Sequence, residues 1–233
     1  MYAVENYFNY FTEVEERYRR RRGTGLLLST VDWALIETWK DAGIPIEAVL
    51  RGIDATFDKY DRRPAKAKKI NSLAYCAQEV LAEAEAMKEA SVGASHREPE
   101  ASAGLEAEEI ARFFRQNAQK LRHALSAPAV LLVAEECAAT LTDLASNLGG
   151  AAARLQLEEL ERRLTVLEEK LLAALTVSAT ENELFELRSE ADREIAPYRS
   201  KMPGAQIQLL QKQFIHKRLF EKAKIPRLSL FYL

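Results

Sequence analysis

The side chains of this 233-residue chain that could carry a reaction are few and scattered. An acid-base, nucleophilic or metal-assisted mechanism would have to draw on His96, His123 and His216, on Cys76 and Cys137, and on the adjacent carboxylates Glu135 and Glu136. Neither cysteine has another Cys or a His at metal-ligand spacing, so both read as buried thiols rather than as a disulfide or a zinc site. His96 falls in a linker, His123 near a helix end and His216 among Lys212, Lys217 and Arg218, which places all three at the surface. Glu135 and Glu136 sit in an otherwise apolar helix, and a helix edge accounts for at least one of them. There is no Walker-type phosphate loop, no Gly-x-Ser-x-Gly elbow, no His-Glu-x-x-His and no paired Glu-x-x-His. The expectation is a protein that is not an enzyme and holds no metal or cofactor.

Basic residues give a stronger signal. Arg19, Arg20, Arg21 and Arg22 follow Arg17 and Tyr18, and a second group holds Arg62, Arg63, Lys66, Lys68 and Lys69. A third holds Lys212, Lys217, Arg218, Lys222, Lys224 and Arg227. Residues 1–70 carry 13 Lys/Arg against 11 Asp/Glu, residues 71–110 carry 2 against 9, and residues 201–228 carry 7 against 1. The net charge of −2 therefore conceals basic ends around an acidic centre. Clusters of this kind neutralise phosphates without reading bases, because counterion release rewards each contact. The competing reading is a solvated or self-paired face, since Glu13, Glu15, Glu16, Asp58 and Asp61 adjoin the first two clusters. An acidic protein partner or a membrane surface is a third. The C-terminal cluster has fewer acids beside it and is the less ambiguous patch.

These groups must be positioned by helices. With 48% hydrophobic and 29% charged residues, 9 Gly and 7 Pro, the composition suits a folded all-α chain and not a turn-rich β-sandwich. The longest apolar run, Ala127 to Ala134, is too short to cross a membrane, and the first ten residues lack the form of a secretory signal. No membrane association and a cytoplasmic location are expected. Tyr7, Phe8, Phe11, Val14 and Tyr18 recur at helical spacing over residues 3–22, ending in the arginine run and Gly23. Ser29 with Asp32 forms a capping box, Gly43 stops that helix, and Pro45 leads into Ile46 to Tyr60, with Val49, Leu50, Ile53 and Phe57 inward. Residues 61–69 read as a basic loop, and a fourth helix runs from about Ile70 to Ala90. The expected organisation is a helical domain over residues 1–90, a flexible linker over 91–104 and a second helical domain over 105–233.

The second domain is helical almost throughout, over Leu105–Leu125, Pro128–Leu148, Glu181–Tyr198 and Ala205–Lys224. Between the second and third of these, Ala153, Leu157, Leu160, Leu164, Leu167, Leu171 and Ala174 alternate steps of four and three, a heptad seam. An antiparallel hairpin within the chain and a dimeric coiled coil both satisfy it; the glycine pair at 149–150 favours the hairpin. After Pro226, the residues Leu228, Leu230, Phe231, Tyr232 and Leu233 form an apolar tail that must dock on its own chain or on a partner. Leu157, Leu160, Leu164, Leu167 and Leu171, with those tail residues, are the candidates for a protein partner or a homo-oligomer.

Gly25, the leucines to Ser29, Asp32-Trp33, Leu35-Ile36, Trp39, Gly43-Ile-Pro45, Val49-Leu50 and Ile53-Asp54, followed by Asn71, Tyr75 and Val80-Leu81, together resemble the helical C-terminal module of DnaD-like primosomal proteins and related phage replication proteins. The resemblance covers about Phe11 to Leu81. It departs from the family pattern in a longer basic connector and in the lack of a Trp after the last helix. It implies binding to single-stranded or duplex DNA and assembly with other replication proteins. The sequence thus leads to a DNA-binding and protein-assembly module; the alternative is an adaptor that assembles through helix contacts alone.

Overall fold

The computed structural model describes residues 10–23, 28–62, 69–91, 107–148 and 157–232. Among these there are α-helices, short 3-10 turns and no strand, so the all-α class holds. The helices are α1 (Tyr10–Arg22), α2 (Thr30–Asp41), α3 (Ile46–Asp61), α4 (Ala77–Ser91), α5 (Ala107–Arg122), α6 (Pro128–Asn147), α7 (Leu157–Ser178), α8 (Glu181–Ile195) and α9 (Gly204–Ala223). Three 3-10 turns cover Leu73–Cys76, Ala196–Lys201 and Leu230–Tyr232.

Two compact units emerge. One combines residues 9–98 with 188–215; the other draws chiefly on 99–187 and 216–233. The sequence predicts a single C-terminal domain over 105–233, whereas residues 188–215 group with the N-terminal helices. The reason is tertiary: Tyr198 meets Tyr75 edge to face at 5.5 Å, and Gln213 donates to Asp41 at 2.6 Å. The linker expected at 91–104 lies outside the described residues, apart from Ser91 at the end of α4.

In the N-terminal unit, Phe11, Val14 and Tyr18 are buried on α1, as their spacing predicts. Tyr7 and Phe8 lie outside the described residues. The capping box at the start of α2 forms: Asp32 N–H donates to Ser29 Oγ at 3.2 Å, and Ser29 N–H donates to Asp32 Oδ2 at 3.1 Å. At the other end Gly43, at φ +68°, closes a left-handed cap in which Ile44 N–H reaches the Trp39 carbonyl at 3.0 Å. Asp32 is itself 1% exposed. Its Oδ1 accepts the Ser72 hydroxyl and the Leu73 N–H, each at 2.7 Å. The single carboxylate therefore caps α2 and ties it to the turn before α4. This explains why α4 begins at Ala77 rather than near Ile70: Ser72 caps the Leu73–Cys76 turn, its Oγ accepting Ala74 N–H at 3.1 Å.

Helices α3 and α4 pack against each other with Gly52 at the crossing. A Cβ on Gly52 would lie 2.5 Å from the backbone N and Cα of Val80. Only the absence of a side chain permits that approach.

In the C-terminal unit, α5 packs on α6 and α6 on α7. Helix α5 ends three residues earlier than the spacing predicts because Leu125 N–H leaves the helix to donate to the Ala223 carbonyl at 2.9 Å. Val130, Ala134, Cys137, Leu141 and Leu144 form the buried stripe of α6. Opposite them lie Leu160, Leu164, Leu167 and Leu171, and the Cys137 thiol meets the Leu167 carbonyl at 3.8 Å. The heptad residues from Leu160 to Leu171 thus fill the interior of their own unit.

Candidate nucleic-acid interface

The last turn of α1 delivers the first basic cluster beside α3, whose Asp54, Asp58 and Asp61 recur at steps of four and three. Arg17 pairs with Asp54 at 2.7 Å. Arg21 reaches Asp54 at 3.6 Å, Asp58 at 2.5 Å and Asp61 at 3.8 Å. Its guanidinium is held still more firmly in the charged form, first by the hydrogen bond to Asp58. Arg21 also lies over the Phe57 ring, and Arg22 over the Tyr18 ring at 5.0 Å from its centre. Arg21 is therefore engaged in the α1–α3 contact, and Arg22 lies on a ring of its own helix, so neither stands clear of the protein as a phosphate ligand would. Arg19 and Arg20 point the other way. Both are exposed, without an acidic partner among the described residues.

The second cluster continues from α3. Arg62 and Lys69 are exposed; Arg63, Lys66 and Lys68 lie outside the described residues. Lys69 lines a cleft of about 390 Å³ together with Lys59, Tyr60, Tyr75 and Lys201. Lys59 is bound to Glu79 at 2.6 Å. Lys69 and Lys201 have no acidic partner among the described residues. Thr56, Gln78 and Ser200 add polar groups to the wall, and Ile70 and Pro197 add apolar surface. Sequence reading found Lys69 but not the other four. Lys201 comes to the cleft from the Ala196–Lys201 turn, and no linear pattern joins it to Lys59.

The third cluster is divided. Lys212 is exposed in the first unit, whereas Lys217, Arg218, Lys222 and Lys224 belong to the second. Glu221, the one acid of that stretch, takes Lys217 at 3.4 Å and Arg218 at 2.8 Å. Only Lys222 and Lys224 of the four are exposed. This group is not the uncomplicated patch that its composition suggests.

The apolar candidates for partner binding are largely committed inside the chain. Leu160, Leu164, Leu167 and Leu171 are buried against α6, and Leu157 is half-buried. Leu228 and Leu230 are fully buried, Tyr232 is half-buried, and the side chains of Phe231 and Leu233 are outside the described set. The tail is fixed by two glutamates of α7 that sequence reading did not single out. Glu168 accepts Leu228 N–H at 2.8 Å, and Glu161 accepts Leu230 N–H at 2.9 Å and the Ser229 hydroxyl. The only linear hint is that the two acids stand one heptad apart beside the leucine seam. Of the residues expected at a partner surface, Leu160, Leu164, Leu167, Leu171, Leu228 and Leu230 are thus already desolvated by their own chain.

His123 is exposed, with its Nδ1 2.8 Å from the Gln119 carbonyl, and Glu135 is exposed and paired with Arg122 at 3.1 Å. Burial pushes the Cys76 thiol up to about 12 and the Cys137 thiol up to about 11. Among the described residues no group of three or more His, Cys, Asp or Glu could hold a metal ion, and no helix is long and apolar enough to cross a membrane.

A family model described as an uncharacterised protein matches residues 9–96, the stretch that holds α1 to α4. No curated protein and no solved structure matches the chain.

Proposed function

We propose that the N-terminal unit binds DNA through its phosphates and that the C-terminal unit serves protein assembly. The observation that carries the DNA reading is the sorting of cations on α1 and α3. The aspartates of α3 take Arg17 and Arg21, while Arg19, Arg20, Arg62 and Lys69 are exposed with no acidic partner among the described residues. A self-paired face would have used its acids on all of them. The resemblance of residues 11–81 to the DnaD-like module supports the same reading and adds a role in replication. Affinity for a mixed-sequence oligonucleotide should fall steeply with salt. Replacing Arg19 and Arg20 by Gln should flatten the log–log salt slope by roughly 0.7 to 0.9 per lost contact. A salt-independent interaction, or an unchanged slope in that variant, would remove DNA from the account.

A second reading, an adaptor that contacts protein only, draws on the C-terminal unit. Leu132, Val177 and Phe185 are 70%, 87% and 67% exposed there, far more than large apolar side chains usually are. It predicts association that survives high salt and is weakened by Val177→Ser and Phe185→Ser.

A further inference from the structure

We propose that the cleft between Lys59, Lys69 and Lys201 receives a phosphate monoester dianion, with a nucleoside-sized body resting against Tyr60 and Tyr75. This deepens the DNA reading and rests on it where the monoester is the end of a strand. The charge count comes first. Three ammonium groups face one carboxylate among the lining residues, Glu79, which already binds Lys59 at 2.6 Å. Lys69 and Lys201 are left, two cations in one concave site. An internal phosphodiester brings a single negative charge, whereas a monoester brings about −1.5 to −2 at neutral pH. The dianion is the better match to two uncompensated lysines.

Size and lining point the same way. The cleft, at about 390 Å³, lies at the lower end of the range of small-molecule sites, roughly 300 to 1,000 Å³. Its wall is divided between polar groups suited to a phosphate and sugar, such as Ser200 and Gln78, and rings suited to a planar base. Tyr75 is held by its edge-to-face contact with Tyr198 at an interplanar angle of 89°, so it enters the cleft from a fixed position. Held rings cost little entropy on binding.

The shared chemistry, a phosphate monoester on a nucleoside, has two sources: a free nucleotide or the 5′ end of a strand. Titration calorimetry on the full chain separates them with four probes: adenosine, adenosine 5′-monophosphate, and one oligonucleotide with either a 5′-hydroxyl or a 5′-phosphate. The phosphorylated member of at least one pair should bind tenfold or more tighter than its partner. Lys69→Gln with Lys201→Gln should erase that preference, and Lys69→Arg with Lys201→Arg should restore it. Arg19→Gln with Arg20→Gln should leave the preference in place while weakening both oligonucleotides. A preference confined to the oligonucleotides identifies a strand end, and one confined to the mononucleotide identifies a free ligand. Equal affinity within both pairs overturns the proposal, and the DNA reading then stands if the oligonucleotides still bind. If only the mononucleotide binds, the DNA reading fails and the cleft assignment stands.

Discussion

Glu168 and Leu228 are joined across 60 positions of sequence: one carboxylate oxygen of Glu168 accepts the Leu228 N–H at 2.8 Å while the other takes the Arg227 guanidinium at 2.6 Å. The tail repeats this two residues further on, where Glu161 receives the N–H of Leu230 at the start of the last 3-10 turn. Backbone groups that would otherwise be stranded beside buried leucines thus have charged acceptors. Leu228→Ala should lower the stability of the C-terminal unit by about 2 to 5 kcal/mol. Glu168→Ala, which leaves Leu228 N–H and Arg227 without their acceptor, should also destabilise. Urea unfolding of both variants checks this; a loss below about 1 kcal/mol for Leu228→Ala would mean the tail is not part of the fold.

The buried Asp32 carboxylate accepts from Ser29, Ser72 and Leu73 at once. Asp32→Ala leaves the Ser29 N–H, the Ser72 hydroxyl and the Leu73 N–H without their acceptor, at a cost of about 3 kcal/mol or more. Asp32→Asn retains one acceptor oxygen and should lose less. Thermal melts of the two variants should rank in that order.

At Gly52 the usual rule for helix interiors reverses. Gly→Ala within a helix ordinarily gains up to about 1 kcal/mol, but here the new methyl meets the Val80 backbone at 2.5 Å. Gly52→Ala should therefore destabilise by about 1 to 3 kcal/mol as α3 and α4 are forced apart. A neutral or stabilising result in denaturant titration would refute the close approach.

What could be read from the sequence divides along distance in the chain. The Ser29–Asp32 box, the α1 stripe and the leucine seam depend on neighbours three or four residues apart, and each is visible as a spacing. The second role of Asp32, toward Ser72 and Leu73, depends on a partner forty residues away and leaves no local trace. The arginine run was legible as charge, and Arg17 and Arg21 share a helix face by their spacing of four, yet that this face rather than that of Arg19 and Arg20 meets the α3 aspartates depends on how α1 packs on α3. Lys69 could be noticed; its company with Lys59 and Lys201 could not, because the Ala196–Lys201 turn arrives from another part of the chain. The tail leucines announced burial, but not the two glutamates that receive them.

Helix α9 is followed by Lys224 at φ +55°, the left-handed position that Gly43 fills after α2. Ile225 N–H returns to the Phe220 carbonyl at 3.0 Å, completing the cap despite the strained lysine. A left-handed residue with a Cβ costs roughly 1 to 2 kcal/mol. Lys224→Gly relieves that strain and should raise stability by about 0.5 to 1 kcal/mol after the added freedom of glycine in the unfolded chain. Differential scanning calorimetry should show the rise in the transition of the C-terminal unit.

Alkaline pH should weaken the N-terminal unit. Burial raises the Cys76 thiol from its ordinary 9.0 to about 12, so the folded unit keeps a proton that the unfolded chain gives up. Burial raises the Tyr18 phenol in the same direction. The stability tied to Cys76 is complete below pH 9 and drains away as the pH climbs toward 12. Stability measured across that interval should decline, and Cys76→Ala should show a shallower decline than the parent. In the folded protein Cys76 should resist alkylation and react only after denaturant is added.

The inclusion of residues 188–215 in the first unit has a bearing on how the protein is made. A ribosome releases α1 to α4 well before Tyr198, Lys201 and Gln213 exist, so the opening helices leave the exit tunnel without their final neighbours. Domains usually mature in the order of translation, but here the first unit must wait until residues 188–215 have been made. Premature termination anywhere before that segment would yield a nascent fragment whose cleft has one wall missing, a natural substrate for chaperones and proteases.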